Sequence, residues 1–322
     1  MSNVKHFKYL FGPVPSRRFG RSLGVDLVPP KTCPLNCVFC EVGPTTGLTM
    51  ERKEYVPIPE VERELKDWRA GPASPKRSEA SGGTADVVSV TGSGEPTLHT
   101  GFGNILAFIK KTIKIKSVLL TNSTLLYLPD VRRSAALADI VKVTLSAWDD
   151  DSFRKIARPH PDLRFASLLE GLQMFRQEYS GTIWLEVFIV PGINSDLEQV
   201  KAIAKLARTI RPDKIQLNTA VRPTAESRVG VVPKSFLNEI SGLFEPKAEV
   251  IAKFAQKGSG RTSIDHGSVL AMLNRRPCTA QDVAASFSLD IKITQAILRE
   301  MVAQEFVRIE KRNGDDYYIG RE

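Results

Sequence analysis

The chain has 322 residues, a hydrophobic content of 42% and a formal net charge of +9 at pH 7. That length accommodates one large core plus a small second unit, and the composition excludes disordered, fibrous and collagenous classes. No apolar run reaches the length of a membrane span, and the N-terminal MSNVKHFKYLFG lacks a signal-peptide core, so a cytoplasmic protein without a membrane partner is expected.

Glycine and proline punctuate residues 12 to 15, and a strand is predicted from Ser22 to Val28. Arg17, Arg18 and Arg21 precede it; they could hold a phosphate or carboxylate, or serve as ordinary surface cations. The strand delivers Cys33-Pro-Leu-Asn-Cys37-Val-Phe39-Cys40, which gathers three of the four cysteines within eight residues. Thiolates so close together suit an iron–sulfur cluster or zinc better than disulfides in a reducing compartment. Structural zinc normally takes four protein ligands, and no further cysteine or histidine lies near the three. A cluster held here would therefore leave one iron open to a small-molecule ligand.

A helix is predicted over 57–70, with Val61, Leu65 and Trp68 at helical spacing, followed by a Gly/Ser-rich surface loop over 71–85. The apolar run 86–91 ends on Gly92-Ser93-Gly94-Glu95-Pro96. Glycines at a strand end let the backbone approach a ligand, and the glutamate can accept hydrogen bonds from an ammonium. Further strands are predicted over 118–121, 141–146, 183–190 and 214–217, with helices near 102–111, 130–138, 164–179 and 196–210. Strand then helix, repeated about six times, specifies a parallel sheet with right-handed crossovers and a site at the C-terminal strand ends. Asn122, Ser123, Thr144, Ser146, Gln216 and Asn218 fall at those ends; Arg158 and His160 share one loop, and Arg222 sits on another. Glu186, inside the apolar run IWLEVFIV, is either a paired inward charge or part of a solvent face.

From about residue 264 the pattern changes. Helices are predicted over 265–275, 280–287 (capped by Thr279) and 291–304, then a hairpin around Arg312-Asn-Gly-Asp315. This resembles a winged helix-turn-helix unit whose third helix buries Ile293, Ile297 and Met301 and exposes Lys292, Gln295 and Arg299. Two domains are expected, 1–263 and 264–322. The first carries 37 Lys+Arg against 27 Asp+Glu, or +10, and the second 8 against 9, or −1. A net charge of −1 ranks DNA binding by the terminal unit behind protein contact, substrate capture or dimerisation, with Lys292, Arg299, Arg308, Lys311 and Arg312 as its phosphate stripe.

The CxxxCxxC spacing with Phe39 before the last cysteine, followed one βα unit later by Gly92-Ser93-Gly94-Glu95, resembles the radical S-adenosylmethionine (radical SAM) superfamily. The resemblance implies an α/β fold, a (βα)6 partial TIM barrel, followed here by the winged helix-turn-helix unit. It also implies a [4Fe–4S] cluster on Cys33, Cys37 and Cys40, and SAM as the ligand of the open iron. Phe39, Gly92, Ser93, Gly94, Glu95, Asn122, Thr144 and Ser146 are then the cofactor contacts, with Thr144 and Ser146 favoured for the ribose. The expected activity is reductive SAM cleavage to a 5′-deoxyadenosyl radical that abstracts hydrogen from a substrate, with an electron donor such as flavodoxin or ferredoxin. Residues 11 to 230 also resemble Fe–S oxidoreductases related to the wyosine-tRNA synthase group. An RNA or another anionic substrate is expected, with Arg17, Arg18, Arg158, Gln216, Asn218 and Arg222 as candidate contacts. The alternative is a non-catalytic Fe–S-dependent regulator that reads DNA through its winged helix.

Overall fold

Apolar β-branched runs alternate with amphipathic helices, and this alternation builds one parallel sheet. The computed structural model describes residues 7–71 except 17, residues 85–251, and residues 266–321 except 276, 288 and 313. The expected boundary at 263/264 and nearly all of the expected loop 71–85 lie outside the described residues. So does Arg17.

In chain order, β1 (Leu10–Ser16) and β2 (Gly20–Asp26) form an antiparallel hairpin, and the short β3 (Thr32–Cys33) and β4 (Gly47–Leu48) pair beside it. Helix α1 (Ile58–Ala70) follows, then β5 (Val87–Thr91), α2 (Phe102–Phe108), β6 (Lys116–Leu120), α3 (Pro129–Ala135) and β7 (Ile140–Thr144). Two helices, α4 (Asp150–Ala157) and α5 (Phe165–Glu178), precede β8 (Thr182–Phe188), and α6 (Leu197–Ile210), β9 (Lys214–Asn218), α7 (Lys234–Ser241) and β10 (Glu249–Val250) complete the barrel. The sheet order is β1-β2-β5-β6-β7-β8-β9-β10, with parallel pairing throughout except for β1 on β2. β1 and β10 remain its two edges, so the sheet is an open α/β barrel, as the resemblance implies.

Local chemistry explains the elements. Val61, Leu65 and Trp68 of α1 are all buried as the spacing predicts, each large side chain contributing about 1.5–3 kcal/mol. Asp149 and Asp196 start α4 and α6 with capping boxes whose partners are Ser152 and Gln199. Helix α4 was not expected: it is short, and three consecutive aspartates at its start read as a loop.

The terminal unit comprises α8 (His266–Leu273), β11 (Cys278–Thr279), α9 (Ala280–Phe287), α10 (Ile291–Ala303), β12 (Val307–Arg312) and β13 (Asp315–Gly320), with sheet order β11-β13-β12. Thr279 caps α9 as expected, its hydroxyl accepting from Asp282 N while Asp282 accepts from Thr279 N. The buried face of α10 is corrected: Thr294, Leu298 and Met301 are buried, whereas Ile293 and Ile297 are half-buried. Lys292, Gln295 and Arg299 are exposed, as the sequence predicts. Cys278 is fully buried in this unit's core, which also takes in Val14 and packs against Phe11 of β1. The N-terminal strand therefore shares a core with residues 266–320.

Candidate cluster and cofactor site

The cysteine loop is held by backbone bonds from both sides. Asn36 N and Val38 N donate to the carbonyls of Ala157 and Ile156 at 3.0 Å each, and His160 N donates to Pro34 O at 2.8 Å. From the other side, Ala225 N donates to Cys40 O at 2.8 Å and Glu226 N to Val38 O at 3.1 Å. Arg158, at the left-handed C-cap of α4, ion-pairs with Glu226 and so ties the two flanking loops together. This is where the structure uses the loop of Arg158 and His160.

Cys33, Cys37 and Cys40 are half-buried and open onto one cavity of about 380 Å³. Burial pushes all three thiols above their ordinary range, and proximity adds to it: Glu95 and Cys40 for Cys33, the other two cysteines for Cys37, and Glu41 for Cys40. A site that disfavours thiolates in this way is relieved by a bound cationic metal centre. Among the described residues no three His, Cys, Asp or Glu side chains form a site for a single metal ion. All three cysteines line that one cavity, a soft donor set of the kind that holds an iron–sulfur cluster. Cys33 Sγ accepts hydrogen bonds from Leu35 N at 3.4 Å and from Asn122 Nδ2 at 3.3 Å. Phe39 stacks on Phe188, centroids 4.2 Å apart, on the same cavity wall.

The glycine-rich strand end lies directly against the cysteine loop. Lys31 N donates to Ser93 O at 2.6 Å, and Glu95 N to Thr32 O at 3.0 Å. Two glycines are required here: a Cβ on Gly94 would sit 2.3 Å from Thr32 O, and one on Gly92, whose φ is +142°, would sit 2.0 Å from Asp26 Oδ1. The Glu95 carboxylate is 2% exposed and already accepts from Thr97 N, Thr97 Oγ1 and Thr121 Oγ1 at Oε1 and from Asn122 N at Oε2. Burial nevertheless raises its pKa above the ordinary value, against the pull of these donors. Glu95 therefore joins the ends of β5 and β6 while lining the cavity.

Deeper in the barrel lies an ion cluster. Arg18, from the turn before β2, reaches across to ion-pair with Glu186 and donates through Nε to Gln216 Oε1 at 2.9 Å. Lys142 of β7 also ion-pairs with Glu186, and Asn218 Nδ2 donates to it at 3.1 Å. Burial opposes ionisation of Glu186, but Arg18 and Lys142 outweigh it and hold the carboxyl down to about 2. Lys142 lies below its usual value because burial outweighs its attraction to Glu186. The paired inward charge is the alternative realised for Glu186.

The cavity brings together Arg18, the three cysteines, Phe39, Gly92 to Glu95, Asn122, Thr144, Asn218 and Arg222. Ser146 and Arg158 are not among its lining residues, and Gln216 reaches it only through Arg18. Ser146 Oγ instead accepts from Phe188 N at 2.9 Å, joining the ends of β7 and β8. Arg222 pairs with Glu41, beside Cys40, at 3.2 Å and with Asp282 of α9 at 3.9 Å. Residues missed from sequence are Lys142, Thr121, Asp26 and Arg275; only Lys142 carried a signal, a cation inside the apolar run IVKVT.

An open parallel barrel with three clustered thiols and a glycine-rich strand end at one cavity places the chain in the class of α/β-barrel proteins fitted to hold an iron–sulfur cluster. The chain belongs to the Radical SAM superfamily, whose family model matches residues 27–207, and to the UPF0026 proteins. The cofactors of that superfamily are a [4Fe–4S] cluster and S-adenosylmethionine. Among the UPF0026 proteins, one from Methanocaldococcus jannaschii is 32% identical over 251 residues, covering 76% of this chain and 75% of that protein. Another from Helicobacter pylori is 30% identical over 277 residues, covering 85% and 86%. A Brachyspira hyodysenteriae protein named GTPase Obg is 31% identical over 311 residues, and the match spans 95% of this chain but only 44% of that longer protein. Among solved structures, a radical SAM methyltransferase from Sphaerobacter thermophilus shares the fold with a TM-score of 0.53 at 16% identity, covering 71% of this chain and 65% of that one. No helix among the described residues is long and apolar enough to cross a membrane.

Proposed function

We propose that this protein is a radical SAM enzyme that cleaves SAM reductively and abstracts hydrogen from an anionic substrate. The observation that carries the reading is the backbone join between the two motifs, Lys31 N to Ser93 O and Glu95 N to Thr32 O, which sets the thiol loop and the glycine-rich strand end on one cavity. Cys33, Cys37 and Cys40 would hold the cluster, and Gly92 to Glu95 would receive the SAM amino group. When bound, these groups supply one-electron reduction and a 5′-deoxyadenosyl radical; the protein positions them and excludes water.

The chain's own residues define the rest. The Glu95 carboxylate is the acceptor for an ammonium, Asn122 donates to the Cys33 sulfur, and Phe39 against Phe188 gives an apolar wall. Thr144, at the end of β7, keeps its side chain at the cavity while its N–H donates to Ser123 Oγ at 3.1 Å, consistent with a ribose contact. Arg158 does not line the cavity and Gln216 reaches it only through Arg18, so Arg18, Asn218 and Arg222, which do line it, are the candidates for polar recognition of substrate. The surplus of +10 over residues 1–263 supports an anionic substrate, RNA among the candidates. A flavodoxin or ferredoxin would supply the electron.

The test is anaerobic reconstitution followed by incubation with SAM and a strong reductant. Chromatography should show 5′-deoxyadenosine only in the complete mixture. A fully loaded protein that binds SAM without cleaving it would refute the enzymatic reading and favour a cluster-bearing sensor.

A further inference from the structure

The terminal unit reaches the cofactor site at two points. Arg275, immediately after α8, lines the cavity and lies 3.6 Å from Asp26 Oδ2. Asp26, at the end of β2, is 9% exposed; its Oδ2 accepts from Ser93 N at 3.3 Å and Ser93 Oγ at 3.2 Å, and its Oδ1 abuts Gly92. The guanidinium is fixed from below as well: it stacks on the Phe11 ring 4.8 Å from the centroid, and that ring occupies the space a Cβ on Gly24 would fill. An unbroken stack of β2, β1 and the terminal unit thus ends on the segment that would receive SAM.

The second point is the cysteine loop. Asp282 of α9 lies 3.9 Å from Arg222, whose other partner at 3.2 Å is Glu41, the residue after Cys40. Arg222 is 7% exposed, and an arginine so buried is stabilised by acidic neighbours on both sides. Tyr317 of β13 donates to Val221 O at 2.8 Å, and Arg312 donates to Val229 O, so the loop after β9 is clamped between the cysteine loop and the terminal sheet. Arg312, counted from sequence as part of a phosphate stripe, is spent on this docking.

We infer that residues 266–320 are a wall of the active site in this same chain, and that Arg275, acting through Asp26, is a positioning residue for the SAM-binding segment Gly92–Gly94. The inference goes beyond the proposed function but rests on its assignment of Gly92–Glu95 to SAM. Docking of the unit and SAM binding are then coupled, and by linkage each strengthens the other. Arg275 charge and reach hold the Asp26 carboxylate toward Ser93; Asp282 does the corresponding work for the cysteine loop through Arg222 and Glu41.

The experiment uses the full-length reconstituted protein. Equilibrium dialysis with labelled SAM should show affinity about tenfold weaker in Arg275→Gln, with Arg275→Lys recovering most of it because the charge opposite Asp26 returns. Arg299→Gln, on the exposed face of α10, should bind as wild type. Hydrogen exchange should show SAM slowing amide exchange in residues 266–275 and 315–320 of wild type, an effect lost in Arg275→Gln. Matching iron content and melting temperature among the variants exclude simple misfolding as the cause; if Arg275→Gln fails this check, Asp282→Asn replaces it in the same two assays. Wild-type SAM binding with unchanged affinity in the variants and no protection of the terminal unit would overturn the inference alone. Failure of the cluster-loaded wild type to bind SAM would overturn the proposed function and this inference together.

Discussion

Replacing Glu186 by Gln should destabilise the protein by about 3 kcal/mol at neutral pH. The carboxyl is held at about 2 in the folded protein against an ordinary value of 4.5, and that difference at ~1.4 kcal/mol per unit gives the figure. An independent route agrees, since removing one partner from a buried ion pair typically costs about 3–5 kcal/mol. Gln keeps the volume but leaves Arg18 and Lys142 buried without their shared anion. Lys142 works in the opposite sense: burial already depresses its pKa, so holding it protonated costs stability at neutral pH, and losing Glu186 enlarges that cost. Because the folded pKa of Glu186 lies below its unfolded value, its contribution is complete above the ordinary carboxyl range and fades as pH falls toward about 2. Urea unfolding of the reduced, cluster-free protein, followed by fluorescence of Trp184 and the other two tryptophans, should show the gap between wild type and variant narrowing on acidification. The double variant with Lys142→Met should lose less than the two single losses summed. A gap below about 1 kcal/mol at neutral pH, or one unchanged down to about pH 3, would refute this account of the barrel interior.

Ala at Cys33, Cys37 or Cys40 should abolish stoichiometric iron and sulfide, whereas Cys278→Ala should keep both and lose about 1 kcal/mol of stability from its core position. Asn122→Ala removes a donor to the Cys33 sulfur and should move the cluster midpoint potential to more negative values in an EPR-monitored titration. Glu95→Gln should weaken SAM binding about tenfold by dialysis while leaving iron content unchanged, since it removes the negative charge offered to an ammonium but no thiol ligand. Gly92→Ala should lower the melting temperature as well as SAM affinity, because the new Cβ meets Asp26 at 2.0 Å in a conformation with positive φ.

The parts legible in the sequence were those written contiguously. The cysteine loop, the glycine-rich strand end and six barrel strands are each local runs with a spacing that specifies their geometry. Strand β1 was hidden because Gly12, Pro13 and Pro15 read as punctuation, yet an edge strand tolerates proline where a central one does not. The phase of α10 was misread because isoleucines at 291, 293 and 297 offer a second apolar stripe beside the one that is buried. Ser146 stood at a strand end as expected, but a strand end does not reveal which way a hydroxyl turns, and here it is taken by Phe188 N. The ion cluster was illegible for a different reason: Arg18 meets Gln216 across 198 residues, and no local pattern encodes a contact made across the barrel interior. Asp26 and Arg275 likewise gain their meaning only when β1, β2 and the terminal unit stack.

The backbone bonds that seize the cysteine loop from the 156–160 side and the 225–226 side run through main-chain groups alone. The register of the three cysteines is therefore written into the backbone of two distant segments, and most side chains of those segments are free to vary without disturbing it. Arg158 and Glu226 are the exception, since their ion pair joins the two flanks to each other.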